Sequence, residues 1–191
     1  TLVGRALCAA WTAAVDRWLA GLVDDALAGG DPRGVALAAV GGYGRGELSL
    51  QSDIDVVLLH AGRDDVGELA DRIWYPVWDA RLKLGHAVRT VNEALALADA
   101  LDTATSLLQV RHLAGDPALT AELATKAELR WRKRPRRALA ALAARVRERH
   151  RRVGEVAFLL EPDLKEGRGG LRDVHALDLA QAARSILWET D

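Results

Sequence analysis

An α+β fold, with a small mixed sheet flanked by helices and a helical region after it, is what this 191-residue sequence predicts. Three observations carry that prediction. Two short apolar runs, Val35 to Val40 (VALAAV) and Ile54 to Leu59 (IDVVLL), have the length of buried strands and are joined by a glycine-rich turn. The stretch before them repeats apolar residues at helical spacing, and most of the chain beyond about residue 93 reads as successive helices broken at Gly and Pro.

The elements follow in order. Residues 2 to about 28 are expected to be helical, with Leu7, Trp11, Ala14, Val15, Trp18, Leu22 and Leu27 on one stripe and Gly29-Gly30-Asp31-Pro32 as the stop. The tryptophans and Cys8 on this helix read as packing residues. The strand at 35–40 ends in Gly41-Gly42-Tyr43-Gly44-Arg45-Gly46-Glu47-Leu48, and the second strand opens on Ser52-Asp53-Ile54-Asp55. Because strand side chains alternate, Asp53 and Asp55 are expected on one face and Ile54 and Val56 on the other. The acids in Arg63-Asp64-Asp65 suit the start of a helix running from about Val66 to Leu82, which Pro76 is expected to kink. A third strand around His86 to Val91 completes a β-turn-β-α-β core. Helices are expected at about 93–100, 103–114, 117–131, 136–152 and 171–188. Gly115-Asp116-Pro117 is a turn signal and sets the expected boundary between a first domain, 1–115, and a helical second domain, 116–191.

Composition narrows the function classes. Half the residues are hydrophobic, 28% are charged and the formal net charge is −1, an ordinary globular balance. No uninterrupted apolar stretch approaches the ~20 residues of a membrane span, and the amphipathic start lacks a signal-peptide pattern, so a cytoplasmic location is expected. A single cysteine excludes an internal disulfide, and the five histidines are dispersed with no zinc-ligand spacing. Any metal should therefore be a hard ion held by oxygen. The chain starts at Thr1, contains no methionine and stops at Asp191 within a helical pattern, so a piece of a longer protein is expected.

The glycine turn and the aspartates carry the chemistry. Backbone amides exposed by such a turn suit a triphosphate. A carboxylate pair can share divalent ions, and two ions about 3.5–4 Å apart serve in-line displacement at phosphorus. Two other phosphate motifs fail on spacing: Gly46 is followed by Glu47-Leu48 where a P-loop needs Lys-Ser or Lys-Thr, and Gly42, Gly44 and Gly46 run G-x-G-x-G, not G-x-G-x-x-G. For the glycines alone, a plain turn is an equally good reading; with Arg45 and the Asp-x-Asp the pattern is much more specific.

The segment resembles the signature of the nucleotidyltransferase superfamily that includes DNA polymerase β, and more narrowly the bacterial PII uridylyltransferase/uridylyl-removing family. Three further segments support the narrower likeness: Leu84-Gly85-His86-Ala87-Val88-Arg89-Thr90-Val91, resembling a third core strand; Asp102-Thr103 with Arg111 to Gly115, resembling a helical segment; and Glu161 to Asp173 (EPDLKEGRGGLRD), a long motif in which Arg168 stands where the family usually has proline. The resemblance spans roughly residues 35–180.

It implies a polymerase β-like core and transfer of UMP from UTP to a tyrosine of the signalling protein PII, with release of pyrophosphate. Asp53 and Asp55 would hold magnesium, and Gly41 and Gly42 would let the backbone approach the phosphates. Arg45 could offset phosphate charge. Ser52 could donate a hydrogen bond or serve only the turn. His86 stands where related enzymes place a third carboxylate and could accept a proton; Asp99, Asp102, Glu166 and Asp173 are other candidates for that third group. Lys165 or Arg172 could reach the triphosphate, or the 165–173 segment could be a loop leading into a helix, with Asp173 and Arg172 in local ion pairs. The family's downstream phosphohydrolase and sensing domains are expected to be missing from this chain.

Alternatives stay open: AMP transfer from ATP, a non-catalytic nucleotide-sensing module, and a transferase acting on RNA ends. The last rests on the basic tract Arg130-Trp131-Arg132-Lys133-Arg134-Pro135-Arg136-Arg137, and the balanced net charge argues against nucleic acid and for solvated helix faces.

Overall fold

The computed structural model describes residues 3–154, 160–161 and 163–184. The chain divides into two compact units, Thr1–Ala127 and Glu128–Asp191.

The first unit is built on a four-stranded mixed sheet in the order β3-β2-β1-β4. Its elements are α1 (Gly4–Leu27), β1 (Val35–Ala39), the single turn α2 (Gly41–Gly44), β2 (Ile54–His60), α3 (Val66–Asp79), β3 (Leu84–Arg89), α4 (Val91–Ala96), α5 (Leu101–Leu107), β4 (Arg111–Gly115) and the larger part of α6 (Pro117–Arg132). β1 runs antiparallel to both β2 and β4, and β3 runs parallel to β2.

Both faces of the sheet are covered, which is why β1 and most of β2 read as continuous apolar runs. On one face Val35, Leu37, Ala39, Ile54, Val56 and Leu58 pack with Val15, Leu19 and Val23 of α1 and with Ile73, Trp74 and Val77 of α3. On the other, Ala36, Ala38, Val57 and Leu59 pack with Val91 and Ala94 of α4, Leu107 of α5, and Leu123 and Ala127 of α6.

α1 passes the length and composition test for a membrane span. It lays Thr12, Val15, Leu19, Val23 and Ala26 wholly into the unit, with Trp11 and Trp18 at the margin of the core. The buried line runs through Thr12 because that hydroxyl faces the loop after α2.

Three sequence expectations are corrected. The segment Arg111–Gly115 is strand β4, not the end of a helix from 103 to 114; α5 stops at Leu107. Gly115 allows the new strand to close on β1, since a methyl group there would lie 2.3 Å from the Val35 carbonyl oxygen. The third strand ends at Arg89, where Thr90 begins a reciprocal cap with Glu93 that starts α4. The first unit runs to Ala127, past the expected boundary at 115, because Leu123 and Ala127 belong to its core. Asp116 ties this junction down, accepting the amides of Gly34 and Ala118.

The second unit holds α7 (Pro135–Val153) and α8 (Leu171–Arg184), and the expected continuation of the last helix to 188 lies outside the described residues. Leu37, wholly buried in β1, is the sharpest test of the sheet core. Leu37→Ala is expected to lower stability by about 2–5 kcal/mol in urea unfolding followed by circular dichroism, with the slope of the transition unchanged.

Candidate active site

Asp55 is the second residue of β2, one place after the buried Ile54. The Val40 N–H donates to its carbonyl oxygen at 3.0 Å, and Gly85 is its partner on β3. Facing residues of a parallel pair share a side of the sheet, so the carboxylate projects beside Gly85. A methyl group on Gly85 would lie 2.2 Å from Asp55 Oδ1, so the carboxylate occupies the space a side chain would take. Gly41, at φ +57°, closes on it from the turn. A methyl group there would come within 3.9 Å of Asp55 Oδ2 and 3.3 Å of the Ser106 hydroxyl oxygen. A carboxylate from β2, the first glycine of the turn and a hydroxyl from α5 thus converge at one end of the sheet.

The other predicted residues divide around this point. Asp53 lies exposed in the turn just ahead of β2. Gly42 is the second residue of α2, and a methyl group on it would lie 3.6 Å from Arg45 Nη2, which sets that guanidinium against the turn. Arg45 also pairs with Glu47, Nε to Oε2 at 2.8 Å. Ser52 serves its own turn: its hydroxyl lies 2.8 Å from that of Ser49, accepts the Ser49 amide, and its amide donates to the Ser49 carbonyl.

His86 stands apart. The register pairs it with Val56, so it lies on the opposite face from Asp55, with its ring centroid 5.4 Å from those of both Trp74 and Trp78. Gly85, not His86, is the residue of that dipeptide that meets the aspartate.

Among the described residues no three His, Cys, Asp or Glu side chains are grouped to hold a metal ion. A hard ion at this end of the sheet would have two carboxylates to draw on, Asp55 and, two residues earlier in the chain, Asp53. This suits magnesium, which is commonly held by one or two carboxylates with substrate phosphates and water completing the octahedron.

The turn is fixed from beneath by a network the sequence reading missed. Arg111, first residue of β4, grips Asp16 of α1 with both terminal nitrogens, Nη1 to Oδ2 at 2.8 Å and Nη2 to Oδ1 at 3.1 Å. The same guanidinium donates to the carbonyls of Tyr43 and Gly44, and it stacks 5.3 Å from the centre of the Tyr43 ring. The Tyr43 hydroxyl donates to Asp16 Oδ1 at 2.7 Å. One turn earlier on α1, the Thr12 hydroxyl donates to the Gly46 carbonyl and accepts the Leu48 amide. Gly44 completes the seam, since a methyl group on it would lie 1.7 Å from the Gln109 carbonyl oxygen. The available signal was Thr12 and Asp16, polar residues four apart on a largely apolar helix.

In the second unit, Lys165 lies in a compact loop before α8 and Arg172 is the second residue of that helix. Asp163 accepts the amides of Lys165 and Glu166, while the Leu171 and Arg172 amides donate to the carbonyls of Leu164 and Lys165. The Arg172 side chain pairs with Glu166. Asp173 pairs with Arg149, accepts the Gly169 amide at 2.7 Å, and lies 2.8 Å from His150 Nε2. Burial opposes its ionisation, yet the Gly169 amide, His150 and Arg149 hold its carboxyl below the ordinary range. Asp173 and Arg172 thus make the local ion pairs of a loop leading into a helix.

Comparison with known proteins adds the lineage. Residues 137–187 match the family model described as GlnD PII-uridylyltransferase. The chain is 52% identical to a bifunctional uridylyltransferase/uridylyl-removing enzyme of Streptomyces coelicolor, over 88% of this chain and 20% of that protein. It is 44% identical to one of Mycobacterium tuberculosis, over 92% of this chain and 22% of that protein, and 41% identical to one of Corynebacterium glutamicum, over 74% and 20%. Over the segment it spans, the chain belongs to the PII-uridylyltransferase family. That segment is about a fifth of the length of these uridylyltransferase relatives. The family-model match covers α7, the loop and α8, whereas the relatives align across most of both units.

The network beneath the turn makes a pH prediction. Burial, and then the bond to the Asp16 carboxylate, push the Tyr43 hydroxyl well above the ordinary tyrosine range. The folded state keeps a proton that the unfolded chain releases near pH 10, so this contribution is complete below about pH 10 and is lost as pH rises above it. Urea unfolding between pH 8 and 11 should show that fall. Tyr43→Phe should flatten its Tyr43 share and lower stability at pH 8 by about 1 kcal/mol.

Proposed function

We propose that the first unit is the nucleotidyl-transfer domain of a PII-modifying enzyme, built on a polymerase β-like core. It transfers UMP from UTP to a tyrosine hydroxyl of PII. The observation that carries this reading is the seating of Asp55 between Gly85 and Gly41, which presents a carboxylate beside a glycine turn where a triphosphate and its metal can meet. The strand, glycine turn, strand, helix, strand order and the family's uridylyltransferase name support it.

In the proposed reaction the tyrosine oxygen attacks the α-phosphorus of UTP. A phosphodiester forms as that oxygen bonds to the α-phosphorus, the bond from the α-phosphorus to the oxygen bridging the α- and β-phosphates breaks, the tyrosine proton passes to solvent, and pyrophosphate leaves with the bridging oxygen. Asp53 and Asp55 would hold magnesium, which when bound supplies charge stabilisation to the phosphates and activates the attacking oxygen. The chain's own part is to orient. Gly41 and Gly42 bring the backbone close to the phosphates, and Arg45, lying against Gly42, adds a positive charge at the turn. The network of Arg111, Asp16 and Tyr43 keeps the turn in place before substrate arrives.

Two measurements test the reading in the full-length enzyme with purified PII. In a labelled nucleotide panel, UTP should label PII and ATP should not; label from ATP alone would overturn the uridylyl assignment. Pyrophosphate release should fall by roughly a hundredfold or more in Asp55→Asn with the fold intact. Gly85→Ala is expected to act through the same carboxylate. The added methyl pushes Asp55 aside while the flexible end of that side chain yields, so turnover should drop severely with little change in melting temperature.

A further inference from the structure

We propose that the Ser106 hydroxyl is a substrate contact, donating a hydrogen bond to a phosphate oxygen of the nucleotide bound between Gly41 and Asp55. The inference rests on the phosphate-transfer reading of that site.

Ser106 sits in the last turn of α5, half-buried, and its Oγ lies 3.3 Å from where a side chain on Gly41 would begin. The same point is 3.9 Å from Asp55 Oδ2, so hydroxyl and carboxylate flank one small space that the glycine leaves open. Helical serines and threonines commonly return their hydroxyls to the carbonyl three or four residues back, and Thr105 does so, donating to the Asp102 carbonyl at 3.1 Å. Among the described residues the Ser106 hydroxyl makes no such bond; the Ser106 backbone carbonyl accepts the Gln109 amide.

Its position is rigid. Gly44 touches the Gln109 carbonyl so closely that no side chain fits, and Arg111, two residues further on, donates to the Gly44 carbonyl. The segment that follows α5 is therefore packed directly against the glycine turn.

Charge decides what the hydroxyl would meet. Beside an aspartate, a phosphate needs a metal to offset repulsion and neutral donors for its remaining oxygens. A serine supplies such a donor without adding a second negative charge. A carboxylate at this position would instead compete with the phosphate for the metal.

The test is calorimetric binding to the full-length protein with magnesium, using two probes: a UTP analogue with a non-hydrolysable α,β-linkage, and inorganic tripolyphosphate, which has no base or sugar. Ser106→Ala should weaken both by about tenfold, the loss of one hydrogen bond to a charged group. Ser106→Thr, which keeps the hydroxyl, should recover most of it. Alanine is the better helix former, so the melting temperature should not fall. Unchanged binding of both probes in Ser106→Ala would overturn the assignment and leave the site reading standing. Weakened analogue binding with unchanged tripolyphosphate binding would also overturn it, moving the contact to the nucleoside. Binding of neither probe by the unsubstituted protein would sink the site reading itself.

Discussion

The grip of Arg111 on Asp16 is the constraint on which the rest of the first unit depends. It joins α1, near the start of the chain, to β4, 95 positions later, and it holds the glycine turn between them by two carbonyls and one aromatic face. A guanidinium suits this task because its planar fork satisfies a carboxylate through two nitrogens while further N–H groups remain for the turn. Both charged side chains are about one-third exposed or less, so solvent weakens the pair below a fully buried one. Its worth lies in geometry. A turn whose carbonyls point down to Arg111 and Thr12 must keep its other surface toward Asp55 and Ser106.

What could be read from the sequence, and what could not, follows from burial. β1 and β2 were legible because helices cover both their faces, leaving unbroken apolar runs. β4 was not. Arg-His-Leu-Ala-Gly has neither a continuous apolar run nor a clean alternation, and it is a strand only because it pairs with β1 across a bulge between Leu37 and Ala38. The aspartates and glycines announced themselves by residue type. Ser106 did not, since a hydroxyl in a helix carries no sequence signal and its meaning comes wholly from the Gly41 backbone opposite it.

His86 shows how narrow the margin is. Its strand was foreseen as the third of the core, yet side-chain direction reverses at every residue. The parallel register sets Gly85 against Asp55, and His86 turns to Trp74 and Trp78 on the other face. A shift by one residue would have put an imidazole beside the aspartate and removed the space its carboxylate now fills.

The same burial explains why the carboxylate stands at the start of β2. From Val56 to Leu59 the strand lies between two apolar layers, and a charge placed there without a partner would face a heavy desolvation penalty. At Asp55 the layer on its face thins: Gly85 has no side chain, Gly41 has none either, and the Ser106 hydroxyl borders the same space beside Gly41. The glycines on both sides of Asp55 therefore serve the acid as much as the ligand. They open a polar gap at the edge of a dry core, where a carboxylate can come within reach of a cation, and the fold can hold that gap open because Arg111 anchors the turn that forms its wall.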